Sequence, residues 1–157
     1  MNQEASRSRS RAVPVILFAG LACGVMDITA ALVTWGVQGV PPERLLQGIA
    51  VGLLGRESFA GGWETAALGA ACHFFIAFSA AAVFYLASRR ITWLTGRPFL
   101  SGPLYGIAVY VVMYWIVVPL SAVGPRPFSW PVTLLAIATH IVCVGSPIAL
   151  VVSRCSR

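Results

Sequence analysis

Four long apolar stretches, residues 14–37, 64–87, 103–120 and 132–152, dominate this sequence. A helix needs about 20 apolar residues to cross the hydrocarbon core of a bilayer, and it is favoured there because its backbone polar groups are satisfied within the segment. The expected fold is therefore an all-α, integral membrane four-helix bundle. Of 157 residues, 58% are hydrophobic and 10% charged, with mean hydropathy +0.83. Four spans and their connectors consume nearly all of that length, so one transmembrane domain over residues 1–157 is expected.

The connector between spans one and two is more than a loop. Pro41-Pro42-Glu43-Arg44 opens an apolar run, Leu45 to Leu54, that is too short to span. Leu45, Leu46, Ile49, Leu53 and Leu54 recur at helical spacing and Gly55 supplies a stop. The spacing predicts an extra interfacial or re-entrant helix over residues 42–55, followed by a turn at Gly61-Gly62. Elsewhere, residues 1–12 read as a polar tail and Pro14 as part of the first helical turn, where its missing N–H has no intrahelical partner. Ala66, Ala67, Gly69, Ala70, Ala71, Ala77, Ala80 and Ala81 make span two a close-packing helix, expected at the centre of the bundle. Pro119, Pro125, Pro127 and Pro131 mark a hairpin before span four. Pro147 should kink that span and free carbonyls that need partners inside the bundle.

All eleven basic side chains are arginine, giving a net charge of +6. They flank the apolar stretches instead of forming a stripe with exposed aromatics, which argues against a nucleic-acid surface. Eight lie in the N-terminal tail, the span two to three connector and the C-terminal tail, against three in the other connectors. By the positive-inside rule both termini are expected in the cytoplasm. Trp35, Trp63 and Trp130 then fall at the outer interface and Trp93 at the inner one. Arg7, Arg9 and Arg11 before an apolar run resemble a signal peptide, but the run is longer than such a leader uses, and Gly20 stands where a lipoprotein site needs a large aliphatic. Cys23, Cys72, Cys143 and Cys155 do not suggest a disulfide framework, since three lie in apolar spans and one in the predicted cytoplasmic tail.

The ionisable residues inside the spans are few: Asp27 in the first, His73 in the second and His140 in the fourth. Each lies within about three residues of its helix midpoint, or roughly 5 Å in depth. An acid at that level costs about 2.5–3.5 kcal/mol on insertion scales, so it should face the bundle, be protonated or pair with a cation. The triple fits a ligand or proton site, a transition-metal site of two imidazoles and a carboxylate, or paired axial haem ligands. The plainer reading is that each forms a hydrogen bond that fixes packing. Cys143 lies three residues after His140 and Cys23 four before Asp27, positions that share a helix face. Gly69, one turn before His73, either makes room for a porphyrin edge or serves as a packing contact. Tyr110 and Tyr114 share a face of span three and point to a hydrogen-bonded path or to aromatic packing. Glu43, Arg44, Arg56, Glu57 and Glu64 cluster around the extra helix, where they are expected either to pair with each other or to form a mouth above the buried site, with Glu64, Arg56 and Glu57 as its outer residues.

No phosphate-binding glycine loop, nucleophile elbow or His-Glu-x-x-His helix occurs, so a soluble-enzyme chemistry is not expected. The combination of Gly24-Val25-Met26-Asp27, Leu46-Gln47-Gly48-Ile49-Ala50, Gly69-Ala70-Ala71-Cys72-His73-Phe74, Tyr105-Gly106 and Pro119-Leu120-Ser121 resembles a group of small four-span bacterial inner-membrane proteins. That group carries no established activity. The resemblance implies a bacterial inner-membrane location and transfers no catalytic residue. An acid in the first span is also similar to the small multidrug-resistance transporters, at the level of fold alone. Three functions are thus expected of the chain. The first is binding or conducting a proton, metal ion or small solute. The second is an accessory or assembly role beside another membrane subunit or a second copy, and the third is a haem-binding or redox role. Lipid is the expected partner in every case.

Overall fold

The computed structural model describes the backbone of residues 2–125 and 127–155, and the side chains of residues 12–125 and 127–155. Arg7, Arg9, Arg11, Arg126 and Arg157, which enter the charge count above, have side chains outside the described residues. The described chain is all helical. Helix α1 (Asn2–Gly36) leads through a turn at Gly39 (φ 84°) to α2 (Pro42–Leu54), and a 3-10 segment (Gly55–Ala60) leads to α3 (Gly62–Ser88). A single turn, α4 (Trp93–Gly96), precedes α5 (Pro98–Val112), which continues through a π-helical turn (Met113–Val117) into α6 (Val118–Leu120). The last span joins α7 (Trp130–Thr139), a second π-helical turn (His140–Gly145) and α8 (Ser146–Cys155).

Four stretches are long and apolar enough to cross a membrane: Ala12–Gly36, Gly62–Ser88, Pro98–Leu120 and Trp130–Cys155. They agree with the expected spans, and the short extra helix is α2. Gly55 ends it with φ 67°, a backbone conformation that glycine adopts without strain. Two boundaries and one placement differ. The first helix runs back to Asn2, so Pro14 lies inside it rather than in its first turn. Once a span is nucleated, each added residue contributes one more backbone hydrogen bond, and this favours extension into a polar flank. The third span starts at Pro98, with Pro103 inside it, because Pro98 takes the opening helical position where a missing N–H is harmless. The second span is not central: α3 packs on α1 and α2, while α1 also packs on α8 and its preceding π turn.

Glycine spacing sets these contacts. A Cβ on Gly20 would meet Phe78 of α3, and one on Gly24 would meet Phe74. Gly102 and Gly106 lie against the backbone of residues 140–146, and Gly145 returns the contact onto Gly102 and Gly106. Both pairs have the small-xxx-small spacing that lets helix backbones meet. Gly69 touches the backbone of Leu46, which seats α2 directly on α3.

The bundle has a packed half and a hollow half. Val15, Ala19, Ala81, Phe84, Ile148, Ala149 and Val152 form a core toward the end that carries Arg89 and Arg90. Cys23, Ala77 and Val144 are the last layer of that core and also the floor of a cavity beneath α2. Outward-facing Leu17, Phe18, Phe75, Val83, Leu104, Trp115 and Leu134 are exposed, as lipid contact requires.

Candidate functional site

The cavity has a volume of about 680 Å³ and is enclosed by α1, α2, α3 and the third and fourth spans. That is within the range of about 300–1,000 Å³ typical of small-molecule sites. Its walls are largely apolar. Asp27, His73 and His140 all line it, as do Tyr110 and Tyr114.

Asp27 and His73 are brought together by the close approach of α1 and α3. Because Gly24 has no side chain, the edge of His73 reaches the α1 backbone, and its Nε2–H donates to the Gly24 carbonyl at 2.9 Å. A carbonyl oxygen only accepts, so this bond fixes the tautomer and leaves Nδ1 with its lone pair. Nδ1 stands 4.0 Å from Oδ2 of Asp27, with the two side chains 13% and 24% exposed. The separation is beyond hydrogen-bond range. Two lone-pair acceptors thus face each other in an apolar wall, and one added proton turns that repulsion into attraction.

His140 shares the cavity but is held differently. Its Nδ1–H donates to the Ala136 carbonyl one turn back at 2.8 Å, and its ring packs edge-on against Tyr110 at 5.6 Å. Tyr110 in turn stacks on Tyr114 at 5.6 Å, so the shared face expected of these two phenols is an aromatic stack. No three His, Cys, Asp or Glu side chains stand at metal-ligand spacing among the described residues. The expected metal set of Asp27, His73 and His140 is therefore not assembled: Asp27 and His73 pair, while His140 is folded onto its own helix. His140 lines the cavity and Cys143 does not; both lie in a π turn, which departs from the i, i+3 relationship of a regular helix.

The haem reading loses the room it needed. The face of Gly69 is filled by the Leu46 backbone, which makes this glycine a packing contact. The cysteines are free thiols, and Cys23 is buried with its Sγ directed at the Gly20 carbonyl. Tyr105 bridges the gap between α5 and α3 by donating to the Ala80 carbonyl at 2.7 Å.

Of the charged cluster expected around the extra helix, Arg44 lines the cavity and Glu64, Arg56 and Glu57 do not. Those three are exposed on α3 and the 3-10 segment. The charged residue at that end is Arg44, whose guanidinium lies 4.5 Å above the Phe59 ring, with Trp35 and Val40 beside it. Facing explains the difference: Arg44, Leu45, Gly48 and Ile49 of α2 line the cavity, and of the 3-10 segment only Phe59 does.

Sequence reading also passed over Gln47, which is buried and donates to the Gly62 carbonyl at 3.0 Å. Ser58 donates to the Gln47 carbonyl, and Thr65 to that of Ser58, at 3.1 and 2.6 Å. An amide in a ten-residue apolar run was the available signal. This network and the Gly69 contact bind α2 firmly to α3. On its other edge α2 is tied by one backbone bond, from Ala122 N–H to the Gly52 carbonyl at 3.0 Å.

Four spanning helices around an acid–imidazole cavity define a multi-pass helical membrane protein. No family model, curated protein or solved structure matches the chain.

Proposed function

We propose that this protein binds a small, largely apolar solute in the cavity beneath α2 and couples its binding or passage to a proton held by Asp27 and His73. The observation that carries the reading is the Asp27–His73 pair, 4.0 Å apart and open to a cavity of about 680 Å³. A pair that only locked two helices would be closed by a direct hydrogen bond and packed over. Here the second imidazole nitrogen and the carboxylate are left facing one another beside space for a ligand.

The arginine bias supports both termini in the cytoplasm, and the resemblance noted above supports a bacterial inner membrane. In that orientation α2 lies on the outer side and the cavity is nearer the outside. The test is solute-dependent proton movement in proteoliposomes that carry an internal pH dye. Asp27→Asn and His73→Gln should each abolish it while the protein still folds. If both variants keep full proton movement, or lose nothing but thermal stability in every solute tried, the pair is a packing lock and the accessory role takes its place.

A further inference from the structure

The hydrogen-bond inventory of the cavity restricts what it can hold. At the level of Asp27 the protein offers acceptors. The Asp27 carboxylate accepts no hydrogen bond from any described residue, and Nδ1 of His73 stands 4.0 Å from it. Nε2–H of His73 is engaged by Gly24, and Nδ1–H of His140 by Ala136, so the remaining nitrogen of each neutral ring carries a lone pair. Backbone carbonyls thus set both imidazoles as acceptors. The phenol of Tyr110, on the same wall, adapts to either role.

Donors gather at the other end. Trp35 lies eight residues beyond Asp27 on α1, about 12 Å further along the axis, and it marks the rim together with Arg44. Arg44 is held over Phe59, so its charge stays at that rim. Between the two ends the walls are apolar, with Ile28, Ile49, Ile76 and Val109 among them.

We infer that the ligand is a primary or secondary ammonium on an apolar body, its N–H groups directed to the carboxylate of Asp27 and Nδ1 of His73. A carboxylate or phosphate placed between these two groups would meet only lone pairs and a like charge. A quaternary ammonium would satisfy the charge of Asp27 but bring no hydrogen for Nδ1 of His73. An uncharged alcohol has one donor for two acceptor groups and no charge to compensate the acid. This inference rests on the reading of the cavity as a ligand site.

The test is calorimetric titration of the full-length protein in nanodiscs of uncharged lipid with four probes of one body: 2-phenylethylammonium, its N,N,N-trimethyl analogue, 3-phenylpropionate and 3-phenylpropanol. The primary ammonium should bind at least tenfold more tightly than each of the others. Asp27→Asn should abolish that preference, and Asp27→Glu should retain part of it. His73→Gln, which keeps an N–H near Gly24 but lacks Nδ1, gives a second, milder variant, expected to weaken the primary ammonium severalfold and leave the trimethyl analogue unchanged. Equal or tighter binding of the trimethyl, carboxylate or alcohol probe overturns the ammonium assignment while leaving the cavity a ligand site. Absence of binding by all four overturns both.

Discussion

Nε2 of His73 and the carbonyl of Gly24 are 2.9 Å apart, a bond that crosses from α3 to α1 and points the other imidazole nitrogen at Asp27. It separates a structural from a functional use of one ring. His73→Gln keeps an N–H near the Nε2 position but removes Nδ1, whereas His73→Ala removes both. Unfolding in mixed micelles should show His73→Gln close to the native protein and His73→Ala less stable by about 1 kcal/mol, the scale of an interhelical hydrogen bond in a membrane. Proton-linked activity should be lost in both. Equal destabilisation by the two variants would show that Gly24 is not the partner that matters.

The seat of α2 on α3 depends on the missing side chain of Gly69. A Cβ there meets the carbonyl oxygen and carbon of Leu46, which are backbone atoms that cannot rotate away. Gly69→Ala should cost about 1–3 kcal/mol, as overpacking does, and should displace α2 and weaken ligand binding. Gly48→Ala is the control: a Cβ at this position meets nothing within 4 Å, and alanine is the better helix former. Its stability should be unchanged or raised by up to about 1 kcal/mol.

A parallel prediction applies on the far wall. A Cβ on Gly106 would meet the backbone of His140 and Ile141. Gly106→Ala should therefore push the π turn away from α5 and separate His140 from Tyr110, seen as a change in the His140 ring resonances by NMR. If those resonances stay in place while stability falls, the glycine serves packing alone.

The free edge of α2 is open to a direct test. A Cβ built on Gly52 lies 3.8 Å from Cβ of Ser121, within the 3.5–4.5 Å window of a disulfide. The pair Gly52→Cys and Ser121→Cys, in a chain with the exposed Cys155 changed to Ser, should cross-link under mild oxidation and shift mobility on a non-reducing gel. If solute enters past this edge, the cross-linked protein should bind or move it at least tenfold more slowly, with recovery on reduction. Unchanged rates in the oxidised form would place the entrance elsewhere.

Much of the fold was legible because the bilayer leaves so few options. Long apolar runs had to be spanning helices, and a ten-residue run flanked by Pro42 and Gly55 had to be something shorter. That Asp27, His73 and His140 share a depth followed from their positions in the spans. That Asp27 and His73 pair, while His140 is drawn onto Ala136, depends on helix rotation. Rotation is set by contacts such as Gly24 against Phe74 and Gly106 against His140. Those glycines stand four apart in the sequence as Gly20 and Gly24, and as Gly102 and Gly106, so part of the rotation was available to a reading that weighed small residues as heavily as ionisable ones. Which charge of the connector reaches the cavity was not legible, because it depends on the face that α2 turns inward: Arg44 lines the cavity, and Glu64, Arg56 and Glu57 do not.

The two π turns, Met113–Val117 and His140–Gly145, each end two residues before a proline, Pro119 and Pro147. In both, the residue just ahead of the proline sends its N–H five residues back, Val118 to Met113 and Ser146 to Ile141, and the Ser146 hydroxyl also donates to Ile141 at 2.7 Å. The coil is thus widened by one i, i+5 bond just ahead of each proline. Counted along the axis, each such helix contains one surplus residue, and everything beyond it is rotated by about 100° from where a regular helix would put it. The chain therefore carries two single-residue insertions in its walls. Deleting one residue from either turn should restore the regular pitch and swing Tyr114 or His140 away from Asp27 without shortening the apolar span enough to expel it from the membrane.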